Sequence, residues 1–146
     1  MFEFFLLIIS KFFFFRAIKS IEYFVIIFVC SVLSFLVPSQ SPDNFNVTAT
    51  TSTSITANWQ LPPADSRNGI IRGFKLFYKK KGDASSPTIL TINSAGALTK
   101  SVTGLDIYTE YEFQVLAFTS VGDGPKSTMQ DERTKEDGKK LKKFKF

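Results

Sequence analysis

The sequence contains no histidine and only one cysteine, Cys30, among its 146 residues. Without histidine there is no imidazole general base, and zinc sites lose their commonest nitrogen ligand. A single cysteine cannot close an intrachain disulfide, so cysteine usage does not report the redox compartment. The composition excludes His-based catalysis and most zinc chemistry. No phosphate-binding glycine motif or ligand cluster is present either, so we expect no metal and no cofactor.

The middle of the chain also lacks an excess of charge of either sign. The formal net charge is +5, yet residues 39–134 hold nine Lys or Arg and nine Asp or Glu. The surplus lies at the ends, with +1 in residues 1–38 and +4 in residues 135–146. A nucleic-acid-binding domain concentrates basic side chains on its folded surface. We therefore expect no nucleic-acid partner.

The first 38 residues are rich in phenylalanine and form a hydrophobic signal-like or anchor-like segment. The longest apolar run, residues 24–37, has 14 residues, which is nearer to a signal-peptide core than to a span of roughly 20 residues. Three interpretations stay open. They are a signal cleaved before Gln40, an uncleaved anchor over residues 23–37 with a basic cytoplasmic flank, and a thymine-rich intron translated beside an exon.

Residues 135–146 read as a disordered basic tail. The Gly138-Lys139 junction is what a splice-donor-like sequence would encode, so this end too fits translation past an exon. The alternative is a membrane-targeted small protein that uses residues 139–145 against anionic lipid. Under each interpretation the tail lies outside the folded domain.

Alternation of apolar and polar residues predicts the strands. It is strictest from Tyr111 to Ala117, where Glu112 and Gln114 face away from the apolar side. Comparable runs predict seven strands, at residues 44–50, 54–60, 71–80, 87–93, 98–103, 111–118 and 126–133. The inward positions predict a core that contains Trp59, Phe74, Leu76, Leu105, Tyr111, Phe113 and Val115. Seven short strands with regular turn signals predict an all-β antiparallel sandwich of the immunoglobulin-like type.

Several spaced motifs in residues 41–134 resemble those of fibronectin type III domains. Leu105, a turn and Tyr111 resemble the family's tyrosine corner, in which the phenol bonds to the backbone just upstream. Trp59 before a pair of prolines resembles the family's exit from its second strand. Gly73-Phe74 resembles its glycine–aromatic pattern. The resemblance implies one such domain over residues 39–134, with no need of a disulfide.

The same resemblance implies a function by contact and no catalysis. It implies an extracellular module, secreted or membrane-anchored, that serves protein interaction or spacing in a cell-adhesion, receptor or matrix protein. Its partners would be a protein or neighbouring fibronectin type III domains, with no small-molecule substrate. The alternative is an ectodomain fragment of an enzyme-bearing receptor, such as a receptor tyrosine phosphatase.

Candidate recognition residues lie at one sequon and in two loops. Asn46 begins an Asn-Val-Thr N-glycosylation sequon and points outward by alternation. The loops at residues 65–69 and 122–126 would meet at one end of the sandwich, where scaffolded loops carry recognition. There, Arg67, Asn68, Asp123 and Lys126 offer both signs of charge.

Three further features of the sequence bear on its function. Glu110 and Glu112 would lie about 7 Å apart on an open strand, without the cleft that a glycosidase needs. Asp123 follows glycine but lacks the arginine of an Arg-Gly-Asp motif. The three lysines at residues 79–81 predict a solvated edge that discourages sheet pairing, with a sulfated glycan as the alternative partner.

Overall fold

The computed structural model describes residues 36–138. The predicted anchor, except for Leu36 and Val37, lies outside this range, as do Cys30 and residues 139–145. Within residues 36–138 no helix is long and apolar enough to cross a membrane. The chain forms β1 (Asp43–Thr51), β2 (Ser54–Gln60), a 3-10 turn (Ala64–Ser66), β3 (Gly73–Lys80), β4 (Thr88–Ile92), β5 (Thr99–Thr103), β6 (Glu110–Phe118) and β7 (Gln130–Arg133).

The strands build two antiparallel sheets. One has three strands in the order β1-β2-β5, and the other has four in the order β4-β3-β6-β7. This confirms the predicted seven-stranded all-β sandwich. The strand order differs from the edge predicted at residues 79–81, because β3 is a central strand between β4 and β6. β4 pairs only with Phe74 to Tyr78, so Lys79 and Lys80 lie beyond the last pair on that side, and Lys81 follows the strand.

The last strand is shorter than predicted, because residues 126–129 do not join the ladder as a regular strand. Ser127 donates its N–H to Val115 O at 2.8 Å, while its hydroxyl Oγ accepts the Val115 N–H at 3.0 Å. The Ser127 hydroxyl thus accepts the hydrogen bond that a backbone carbonyl would accept in a regular ladder. Pro125, just before, has no N–H to offer. Regular pairing begins only at Gln130.

The core lies between the two sheets and contains all seven residues that alternation placed there. Phe74, Leu76 and Val115 are fully buried, and the Trp59 ring packs on Phe74 with centroids 5.4 Å apart. Side chains at every second position of a strand share one face, so two facing strands supply a continuous apolar layer. This layer holds the sheets together.

The connection from β5 to β6 is pinned by Tyr111. Its phenol oxygen accepts the Asp106 N–H at 3.0 Å, and Leu105 beside it is buried and donates its N–H to Thr53 O at 3.0 Å. Gly104 has φ +76°, a left-handed conformation that suits glycine. The crossover between the sheets therefore has one fixed path.

Candidate functional site

One end of the sandwich is covered by residues 36–39. Thr119 Oγ1 donates to Leu36 O at 2.9 Å, Asn68 Nδ2 donates to Val37 O at 3.0 Å, and Ser39 N donates to Ser66 O at 2.8 Å. The Pro38 side chain is fully buried. These residues therefore pack as part of the domain, upstream of its predicted boundary at residue 39.

Gly124 is needed where this segment meets the connection between β6 and β7. A Cβ at this position would lie 2.8 Å from Pro38 Cβ and 3.1 Å from Ala117 O. Real Cβ atoms do not approach carbon that closely, so a larger residue would displace Pro38. The glycine allows the close contact between the segment and the loop.

The four candidate loop residues do not form one cluster. Arg67 Nε donates to Pro62 O at 2.8 Å, and Asn68 holds Val37, so both stabilise the covered end. Asp123 instead forms an ion pair with Lys75 at 2.7 Å. Lys126 Nζ lies 4.0 Å above the Phe77 ring centroid. Since Lys75 and Phe77 point outward from β3, Asp123 and Lys126 border the outer face of the four-stranded sheet.

That outer face carries an apolar patch, which the sequence reasoning missed. Phe77 and Leu116 are only 8% and 4% exposed, although both point away from the core. Lys126 lies across Phe77, while Ile89 and Met129 nearby are about half exposed. The alternation that places Glu112 and Gln114 outward predicts a polar outer face along β6. Two features of the sequence indicate this patch. Phe77 stands between lysines at an outward position of β3, and Leu116 is an apolar residue on the otherwise polar side of β6.

A shallow groove runs beside the patch. Its walls come from β3, β6 and the residues before β4 and β7, namely Phe77, Tyr78, Lys79, Pro87, Glu112, Phe113, Gln114 and Met129. Ion pairs of Lys75 with Asp123 and of Lys79 with Glu112, the latter at 3.8 Å, stand on either side of Phe77. The arrangement is an apolar centre with charged margins, which is the usual anatomy of a protein interface.

The lysines at residues 79–81 all face carboxylates. Lys80 pairs with Asp106, and Lys81 bonds Asp131 at 2.8 Å and Glu110 at 3.2 Å. Hydrogen bonds from Lys81 to Asp131 and then to Glu110 raise its pKa above the ordinary 10.5, and Asp106 does the same for the pKa of Lys80. These cations are already matched within the domain, which weakens the sulfated-glycan interpretation.

The two glutamates weighed as an acid–base pair are bound in the same network. Glu110 also meets Arg133 at 3.6 Å, and Glu112 meets Lys79. Within residues 36–138 no three His, Cys, Asp or Glu side chains are grouped to hold a metal ion.

The sequon lies on the outer face of the other sheet. Asn46 is exposed on β1, with its Nδ2 donating to Asn44 O at 3.1 Å and Asn58 Nδ2 3.4 Å from its Oδ1. Thr56 and Ser101 hydroxyls bond each other at 2.8 Å on the neighbouring strands. This face is therefore polar and largely uncharged, in contrast with the apolar and charged outer face of the four-stranded sheet.

Two antiparallel sheets of three and four strands, joined through a tyrosine corner, define an immunoglobulin-like sandwich that offers surfaces for contact. Comparison with known proteins makes the assignment specific. The model of the fibronectin type III domain matches residues 40–131, and the chain belongs to that family.

Individual relatives show how small a part of a larger protein this region matches. The chain is 41% identical over 102 residues to protein sidekick-1 of Gallus gallus, covering 69% of the chain and 5% of that protein. It is 40% identical over 90 residues to cell adhesion molecule Dscam2 of Drosophila melanogaster, covering 60% and 4%. It is 39% identical over 102 residues to tyrosine-protein phosphatase Lar of the same organism, covering 69% and 5%. The chain thus spans about one twentieth of these relatives' length.

Solved structures share the fold. The third fibronectin III domain of the human KIAA0343 protein, determined in solution, superposes with a TM-score of 0.64 at 25% identity, covering 70% of this chain and 86% of that one. The fn3 domain of human contactin 1 gives a TM-score of 0.60 at 22% identity, covering 68% and 81%. Both structures are of single domains determined in solution.

Proposed function

We propose that the chain supplies a noncatalytic extracellular module for protein interaction within a cell-adhesion, receptor or matrix protein at the cell surface. The observation that carries this proposal is the patch on the outer face of the four-stranded sheet, with Phe77 beneath Lys126 and Ile89 and Met129 half exposed. Similarity to sidekick-1 and to a protein named a cell adhesion molecule supports the cellular setting.

Lys126 is the residue best placed to bind a partner. Among residues 36–138 its charge meets a ring and no carboxylate in ion-pair range, whereas Lys75 and Lys79 are each paired. A partner carboxylate would reach Lys126 while its apolar side chains cover the half-exposed Ile89 and Met129. Burying a charge pair beside an apolar centre is how interfaces gain specificity.

The predicted loop end then divides into two roles. Asp123 and Lys126 belong to the recognition surface, because they border the patch. Arg67 and Asn68 hold the loop and residues 36–39 in place, and they act on recognition only through the shape of that end.

Binding to intact cells tests this proposal. Residues 36–138 carry their own closed core and match isolated single domains, so this polypeptide can be tetramerised on a fluorescent carrier. We expect saturable binding that disappears when the cells are first treated with trypsin. Absence of binding to any adherent cell type would contradict an interaction function and would leave the module as a spacer.

Glycosylation of Asn46 supplies a separate test of the extracellular setting. When residues 36–138 are expressed behind a secretory signal, we expect a glycan that an endoglycosidase removes and that Asn46→Gln abolishes. The three-stranded sheet would then be shielded by sugar, leaving the four-stranded sheet for partners. Membrane attachment, in this proposal, runs through residues 1–38.

A second candidate is that the module belongs to the ectodomain of an enzyme-bearing receptor. The similarity to tyrosine-protein phosphatase Lar favours it, at 39% identity over 102 residues. The module itself would still bind or space, while the enzyme lies elsewhere in the protein. Sequencing the full transcript separates the candidates. A reading frame that includes a phosphatase domain supports the second, and one with only adhesion domains and a membrane span supports the first.

A further inference from the structure

Within residues 36–138 four strands lie at sheet edges, and β4 is the least protected of them. The edges are β1 and β5 in the three-stranded sheet and β4 and β7 in the four-stranded sheet. An open edge presents unpaired N–H and C=O groups, and proteins usually block it with charge, bulges or a covering segment. The four edges of this domain differ in which of these protections they have.

Three of the edges are protected. β1 has two register shifts along its pairing with β2. It also faces β7, with the Ala49 N–H donating to Glu132 Oε1 at 3.0 Å and the Lys135 N–H to Thr51 O at 3.2 Å. β7 is charged at three of its four positions, and β5 carries Lys100. Bulges, contacts and charge thus make these edges poor templates for another strand.

β4 has none of these protections. It pairs with β3 over five residues without a register shift, and within residues 36–138 it has no other strand partner. Residues 84–99 contain no charged side chain. The strand is Thr-Ile-Leu-Thr-Ile, in which four of five residues are β-branched and favour strand pairing. Ile89 is 52% exposed.

We propose that β4 pairs antiparallel with β4 of a second copy of this chain, about a two-fold axis at Leu90. This is the register that pairs all five residues of both strands. It places Ile89 opposite the partner's Thr91 and Thr88 opposite the partner's Ile92. Each isoleucine thus meets a threonine, and the two four-stranded sheets become one sheet of eight strands.

A second copy fits this edge because the strand is complementary to itself. With no charge in residues 84–99, no like charges oppose each other across the axis. The nearest lysines, Lys75 and Lys79 on β3, are already paired with Asp123 and Glu112, so the sheets do not repel strongly. An edge contact buries less than the roughly 1,200 Å² of standard interfaces, so we expect a dissociation constant of about 0.1–1 mM. Such pairing matters where copies are concentrated on one surface.

Two matched substitutions test the pairing. Thr91→Lys places a charge on β4, diagonally across the axis from the same residue of the partner. Thr103→Lys places the same charge on exposed β5. For residues 36–138, sedimentation equilibrium up to about 1 mM should show a monomer–dimer equilibrium that Thr91→Lys weakens at least about tenfold and Thr103→Lys changes less than about twofold. Melting temperatures confirm that both variants fold.

Amide spectra locate the contact. With rising concentration, we expect chemical-shift changes centred on residues 88–92 in the parent and absent in Thr91→Lys. A monomer at the highest concentration overturns the proposal. Equal effects of the two substitutions also overturn it, because general charge would then be the cause. Shifts centred on Phe77 and Leu116, instead of on β4, overturn it in favour of face-to-face association.

Discussion

Trp59 provides the most quantitative test of the fold. Its ring is 2% exposed between the sheets, and its Nε1 finds no hydrogen-bond partner among residues 36–138. Trp59→Ala empties a large aromatic site, which usually lowers the free energy of unfolding by about 3–5 kcal/mol. The same change removes an unsatisfied N–H, whose burial is unfavourable by about 1–3 kcal/mol, so we expect a loss near the lower end of that range.

Trp59→Phe separates the two contributions. It keeps an aromatic ring against Phe74 and removes the buried N–H. The cavity is then small, and the gain from removing the unpaired donor offsets part of the lost packing. We expect a loss of about 1 kcal/mol or less. An outer-face control, Glu112→Ala, removes only a 3.8 Å ion pair to Lys79 and should lower stability by about 0.5 kcal/mol.

Urea unfolding of residues 36–138 measures all three losses. Far-ultraviolet circular dichroism is the suitable probe, because Trp59 is the only tryptophan and its fluorescence disappears with the substitutions. A stability of about 5–15 kcal/mol leaves the alanine variant folded but weakened. Equal losses from Trp59→Ala and Glu112→Ala would refute the assignment of strand faces. A phenylalanine variant as weak as the alanine variant would refute the account of the unpaired N–H.

Three further predictions concern stability. Tyr111→Phe leaves the Asp106 N–H without its acceptor and should lower the free energy of unfolding, measured with urea, by about 1–3 kcal/mol. An unchanged urea midpoint would show that the hydrogen bond from Asp106 to Tyr111 does not stabilise the domain. Shortening the polypeptide from residues 36–138 to residues 40–138 removes the buried Pro38 and four hydrogen bonds. Its thermal midpoint should therefore fall by several degrees, at about 4–8 °C per kcal/mol of stability lost. An unchanged midpoint would show that residues 36–39 do not stabilise the domain. The hydrogen bond from the Ser85 N–H lowers the pKa of Asp83, so the contribution of Asp83 to stability exists above about pH 4 and is lost below it. The pKa values of Lys80 and Lys81 are raised, so their contributions to stability exist below the ordinary pKa of 10.5 and are lost as the pH rises further. Since there is no histidine, we expect a flat thermal midpoint between about pH 5 and 9, and a transition inside that range would contradict this assignment.

The core was predictable because side-chain alternation reports which residues share a face. Trp59, Phe74 and Val115 follow from period two alone, and all three are buried. The family motifs around Tyr111 then indicated how the sheets connect. These features depend on local sequence, so a single chain is sufficient to identify them.

The features that escaped prediction depend on which strands become neighbours. Residues 79–81 look like an edge in sequence, but strand order places β3 in the centre of its sheet. Phe77 and Leu116 are outward by alternation and are nevertheless buried, and Lys126 lies over the Phe77 ring. The burial of Pro38 requires the loop that carries Gly124, more than 80 residues away. The strand order and the burial of Pro38 are tertiary, and no local pattern encodes them, whereas Phe77 and Leu116 are visible in the sequence only as apolar residues at outward positions.

The recognition surface is tested most directly by reversing one charge at each of two sites. Lys126→Glu reverses the cation above Phe77, and Lys100→Glu makes the same change on β5 at the edge of the three-stranded sheet. In the intact-cell binding assay, we expect Lys126→Glu to weaken binding at least about tenfold and Lys100→Glu to change it less than about twofold. Equal losses, or a loss confined to Lys100→Glu, would contradict recognition through the outer face of the four-stranded sheet.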